Sequence, residues 1–95
     1  MPYRVEIVST ESNNRVLENL PKEILPKIAV HIKRLSENPY LGRSVEGPIT
    51  AYIYSFSVNH INRVYGFSVS YKINENKETI VITEFGKTIT NYLDT

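Results

Sequence analysis

The chain has 95 residues, 41% hydrophobic and 22% charged, with a formal net charge of +1 and no cysteine. That length fits one domain with one hydrophobic core, and the balance is globular rather than disordered. The missing cysteine excludes disulfides, thiolate catalysis and cysteine zinc sites, and near-neutral charge confines any nucleic-acid contact to a local patch.

Tyr3-Arg4-Val5-Glu6-Ile7-Val8 alternates apolar and polar side chains, the period of a half-buried strand with Tyr3, Val5 and Ile7 inward. The charges in this opening segment stand where a signal peptide would carry its apolar core. No apolar run approaches the ~20 residues that span a bilayer, so a cytoplasmic chain without membrane contact is expected. Ser9-Thr10-Glu11-Ser12 supplies helix caps and predicts a short helix over 11–19, with Val16, Leu17 and Leu20 as its apolar contacts. Pro21 interrupts. Ile24, Leu25, Ile28, Ile32 and Leu35 then recur at spacings of three and four, one stripe of a second helix. Pro26 fits only in its first turn, so the helix begins near 22–25. Asn38-Pro39 ends it, because a residue before proline avoids the helical region.

Residues 40–50, with Gly42, Gly47 and Pro48, read as loop. Tyr52, Tyr54, Phe56 and Val58 alternate with Ile53, Ser55 and Ser57, and Asn59-His60-Ile61-Asn62 reads as a hairpin turn. Phe67, Val69, Tyr71 and Ile73 alternate with Ser68, Ser70 and Lys72. Gly66 suggests a bulge in that strand. After a turn at Asn74–Lys77, the β-branched run Thr79–Phe85 reads as a central strand. The order β-α-α-β-β-β predicts an α+β fold. Two N-terminal helices pack on one face of a four-stranded, mainly antiparallel sheet, and the other face is small and polar.

Little of this carries obvious chemistry. His31 and His60 lack a neighbouring acid to orient them, and His60, placed in a turn, is the better acid–base candidate. No metal-ligand spacing, phosphate-cradling loop or cofactor motif appears. The seven tyrosines include Tyr65 and Tyr92, which are less tied to the core phase and could stack on bases. Arg43, Arg63, Lys72 and Lys87 flank or lie on the sheet and are candidate phosphate contacts.

Several strings together resemble the RelE/ParE superfamily of bacterial toxins from type II toxin–antitoxin pairs. They are the opening YRVEIV, the LPKEILPKIAVHIKRLSENP helix, the approach Glu46-Gly47-Pro48 and the closing GFSVSYKINENKETIVITEFGK. The resemblance covers nearly the whole chain. It implies a cognate antitoxin as partner and, by branch, either mRNA cleavage on the ribosome or poisoning of DNA gyrase. In the RelE branch, basic side chains on the open sheet face and a C-terminal tyrosine do the cutting. Gly66-Phe67-Ser68-Val69-Ser70-Tyr71 puts Ser68 at the family's arginine position; a second register would put Arg63 there. Gly86-Lys87 matches, Thr88 stands where arginine is common, and Tyr92 lies near the terminal tyrosine. The resemblance thus assigns candidate catalytic roles to Lys87, Tyr92, Arg63 and His60. Substrate contacts fall to Ser55, Ser57, Ser68, Lys72 and Arg43. Serines replace cations on the open face, which favours a non-nuclease relative as the alternative.

Overall fold

The computed structural model describes residues 2–91, with backbone alone at 90 and 91. Strand β1 (Arg4–Ile7) leads to helix α1 (Glu11–Glu18), a 3-10 turn (Lys22–Ile24) and helix α2 (Leu25–Glu37). A second 3-10 turn (Pro39–Leu41) precedes β2 (Arg43–Val45), β3 (Ala51–His60), β4 (Arg63–Asn74) and β5 (Thr79–Asn91). The five strands form one sheet in the order β1-β5-β4-β3-β2. Only β1 and β5 run parallel; the other neighbours are antiparallel.

Local chemistry explains the helix limits. The Thr10 side chain accepts the Asn13 N–H at 3.0 Å and so caps α1. Pro26 lies in the first turn of α2, where its missing N–H costs nothing. Asn38, extended ahead of Pro39, stops the helix after Glu37. The helical layer contributes Leu20, Ile24, Ile28 and Leu35 to the core. They meet Val58, Tyr65, Phe67, Val69, Tyr71, Ile80, Ile82 and Phe85 from one face of the sheet. Each such side chain stabilises the fold by roughly 1.5–3 kcal/mol relative to exposure.

The expected order of elements and the one-sided helical layer are present, with three corrections. The sheet has five strands rather than four, because Arg43–Val45 within the expected loop pairs with Ala51–Ile53. Three exposed residues are too few to show an alternation. The last strand runs to Asn91, well past Phe85. The bulge is not at Gly66, which pairs in register with Ser57 and Thr88. It lies in β5: Ser70 pairs with Glu84 but Tyr71 with Ile82, so Thr83 is the extra residue.

That extra residue reverses the alternation of β5. Ile80 and Ile82 face the core before it, and Phe85 after it. The bulge is held by Asn13 of α1, which is only 1% exposed. Its Nδ2 donates to the carbonyls of Val8 (2.9 Å) and Thr83 (3.2 Å), and its Oδ1 accepts the Phe85 N–H (3.0 Å). A single buried amide therefore pairs backbone groups that the interrupted ladder leaves free.

Candidate functional site

Residues directly opposite in an antiparallel pair share a face. On the face away from the helices, the ladder aligns Ser55, Ser68 and Gly86 in one row and Ser57, Gly66 and Thr88 in the next. A shallow depression there is bordered by Ser55, Gly66, Ser68, Gly86 and Thr88, together with Phe56, Phe67 and Lys87 of the intervening row. The structure thus brings together the expected substrate-contact serines. Arg43 opposes Ile53 on the same face, and Lys72 opposes Val81. Lys72 is four residues from Ser68, roughly 13 Å along the strand. The open face offers hydroxyl groups, with Arg43 and Lys72 toward β2, Arg4 at the β1 edge and Glu84 beside Ser70.

Of the expected catalytic residues, Lys87 borders this depression, while Arg63 and His60 lie further along the sheet. Lys87 pairs with Phe67, which pairs with Phe56, so Lys87 belongs to the helical face. His60 pairs with Arg63 on that same face, at the far end of the sheet. The ladder thus directs the Lys87, Arg63 and His60 side chains to the helical face, although Lys87 still borders the serine depression. For Lys87 the reason is the Thr83 bulge. Without the extra residue, the inward phase of Ile80 and Ile82 would continue through residues 84 and 86, turning Lys87 to the open face. Lys87 and Arg63 lie four residues apart along the ladder, about 13 Å, so with His60 they form a line rather than a cluster. The two ion pairs among the described residues, Arg4–Glu6 and Arg15–Glu11, do not involve them. Tyr92 lies outside the described residues. Tyr65, a candidate for base stacking, is 2% exposed and part of the core.

Beside this line, α2 lies against β3. The Lys27 ammonium donates to the Asn59 carbonyl at 2.9 Å. The His31 ring stacks on Phe56, with centroids 4.4 Å apart, and its Nδ1 lies 3.3 Å from the Tyr54 hydroxyl. Burial, and then the Arg34 charge, hold His31 below the ordinary histidine range, so this ring is a neutral packing element at pH 7. A shallow groove lined by Lys27, Val30, His31, Ser57, Val58 and Asn59 runs along the contact.

At the opposite end, Tyr40, Tyr52 and Tyr71 form an aromatic row. The Tyr40 hydroxyl donates to the Glu75 carboxylate, which pushes its pKa up to about 12. The buried Tyr71 hydroxyl donates to the Pro39 carbonyl (2.7 Å) and accepts the Gly42 N–H (3.0 Å), docking the segment that enters β2. Burial raises the Tyr71 pKa. Among the described residues, no group of three His, Asp or Glu could hold a metal. None of their helices is long and apolar enough to cross a membrane. The roles of Asn13 and Tyr71 were not foreseen, because each depends on partners about 30 to 70 positions away.

No family model and no curated protein matches the chain in sequence. Solved structures match in shape. A chain of the toxin–antitoxin complex RelBE2 from Mycobacterium tuberculosis superposes with a TM-score of 0.60 at 23% identity, covering 93% of this chain and 100% of that one. An arginine-to-alanine double mutant of the E. coli toxin RelE, in the free state, gives a TM-score of 0.63 at 14% identity, covering 90% and 83%. A chain of the intact E. coli RelBE toxin–antitoxin complex gives 0.61 at 14% identity, covering 90% and 96%. At these identities the likeness is one of fold, and the fold is that of RelE toxins.

Proposed function

We propose that this chain is the toxin half of a toxin–antitoxin pair, restrained by a cognate antitoxin and directed at mRNA on the ribosome. The observation that carries the toxin reading is mutual coverage: the likeness takes in 93% of this chain and all of its RelBE2 counterpart.

For the chemistry, the line of Lys87, Arg63 and His60 on the helical face suits a phosphate backbone better than the uncharged serine rows do. Cleavage by 2′-hydroxyl attack needs a base, an acid and positive charge against the developing phosphorane. Lys87 and Arg63 supply charge, His60 supplies proton transfer, and the hydroxyls of Ser55, Ser57 and Ser68 orient the strand passing the sheet edge. Arg43 and Lys72 add phosphate contacts at the β2 end, and Tyr92 retains the role its position suggests.

Tightly repressed expression in a sensitive bacterial host tests this. Induction alone should arrest growth, with new mRNA 5′ ends inside coding regions; co-expression of the neighbouring small open reading frame should restore growth. Lys87→Ala should cut the rate of cleavage by about 10²–10³-fold. Unimpaired growth on induction would overturn the toxin reading. A second reading, a gyrase poison or a partner-binding toxin relative, is favoured by the serine-lined open face. It requires a DNA-damage response, or no effect, in place of mRNA cleavage.

A further inference from the structure

The β3–β4 hairpin ends in a two-residue turn, Ile61-Asn62, with both residues at positive φ (42° and 58°). Such turns favour asparagine, aspartate or glycine, because a side chain branched at Cβ clashes in the left-handed region. Isoleucine is therefore a poor residue for this position. It is also 77% exposed, so it gains little from burial. Two local costs fall on one side chain, and nothing among the described residues offsets either. Backbone strain of this kind persists where a site uses it.

The surroundings of Ile61 identify what it meets. His60 and Arg63 face each other across the base of the turn, and Lys27 reaches it from α2 through the Asn59 carbonyl. Lys87 follows further down the same face. The sheet rows from the Phe56–Phe67–Lys87 row to the tip carry no carboxylate. An apolar tip bracketed by cations matches a nucleic-acid strand: cations take the phosphates, and a branched aliphatic side chain wedges against or between bases. We infer that the β3–β4 hairpin tip is an RNA-binding wedge, with Ile61 contacting a base and Arg63 and Lys27 the flanking phosphates. This rests on the RNA-directed reading above for its class of partner.

The experiment uses the purified chain and a fluorescein-labelled, fully 2′-O-methylated RNA hairpin, which cannot be cleaved by 2′-hydroxyl attack. Anisotropy titrations run from 50 to 200 mM KCl. Ile61→Asn should weaken binding at least fivefold while raising the melting temperature by a few degrees, since asparagine tolerates the positive φ. Arg63→Gln should lower the slope of log affinity against log salt by about one. A purely structural Ile61 would move stability and leave affinity unchanged, which overturns the proposal. So does an Ile61→Asn variant that binds RNA normally but fails to assemble with the antitoxin, because the tip is then a protein-docking element. In cells, mRNA cleavage alongside tip-independent RNA binding would sink the wedge and leave the endonuclease reading standing. Tip-dependent binding without mRNA cleavage would do the reverse.

Discussion

Asn13 shows how much one polar side chain can decide. It is buried, neutral and fully engaged, joining α1, the end of β1 and the bulge of β5. Asn13→Ala would take their partner from the buried Phe85 N–H and the partly buried Val8 and Thr83 carbonyls. The expected loss is about 2–4 kcal/mol, because each unsatisfied buried group costs on the order of 1–3 kcal/mol and partial hydration recovers some of it. Urea unfolding measures this directly, and an unchanged midpoint would show that the bulge holds itself. Ile61 is the converse case: its conformation is locally unfavourable, and its explanation lies outside the molecule.

Among the elements, β2 depends most on tertiary contacts. It is three residues long and exposed, and the segment ahead of it is anchored by the Tyr71 hydroxyl. Gly42 permits that anchoring by close approach rather than by unusual φ. A Cβ there would stand 2.6 Å from the Tyr71 oxygen and 2.8 Å from the Ile53 carbonyl. Gly42→Ala is expected to cost about 1–3 kcal/mol through overpacking. Tyr71→Phe should cost about 1–2 kcal/mol through its two lost hydrogen bonds. Together they should cost less than their sum, because removing the hydroxyl relieves one of the two clashes. Strict additivity in a double-mutant cycle would argue against this packing.

The whole molecule is a long sheet with helices on one side, 49 Å in its longest dimension. Protection from solvent should follow that asymmetry. Amides of Val69–Tyr71 and Ile80–Ile82, in strands paired on both sides beneath the helices, should exchange only through global unfolding. Those of residues 59–63 and of β2 should exchange orders of magnitude faster by local opening. Hydrogen-exchange mass spectrometry of the free chain reads both. A hairpin tip as protected as Val69 would mean that it is already covered, contrary to its placement here.

Much of this architecture is legible in the residues themselves. Period-two alternation gives the strands, three–four spacing gives α2, and Thr10, Pro26 and Asn38-Pro39 mark helix limits. These signals are local, so a chain of 95 residues displays them without its fold. What the chain could not display is the phase of β5. Ile80-Val81-Ile82 is apolar throughout, which conceals the alternation, and the amide that stabilises the slip lies some 70 positions away. One extra residue at Thr83 carries Lys87 from the open face to the helical face, where it joins Arg63 and His60. The sequence by itself determined the fold class and the serine-lined face of β3 and β4, because side-chain polarity sets burial. Only the tertiary structure decided which charged groups share a face, because a register shift is fixed by contacts between distant segments.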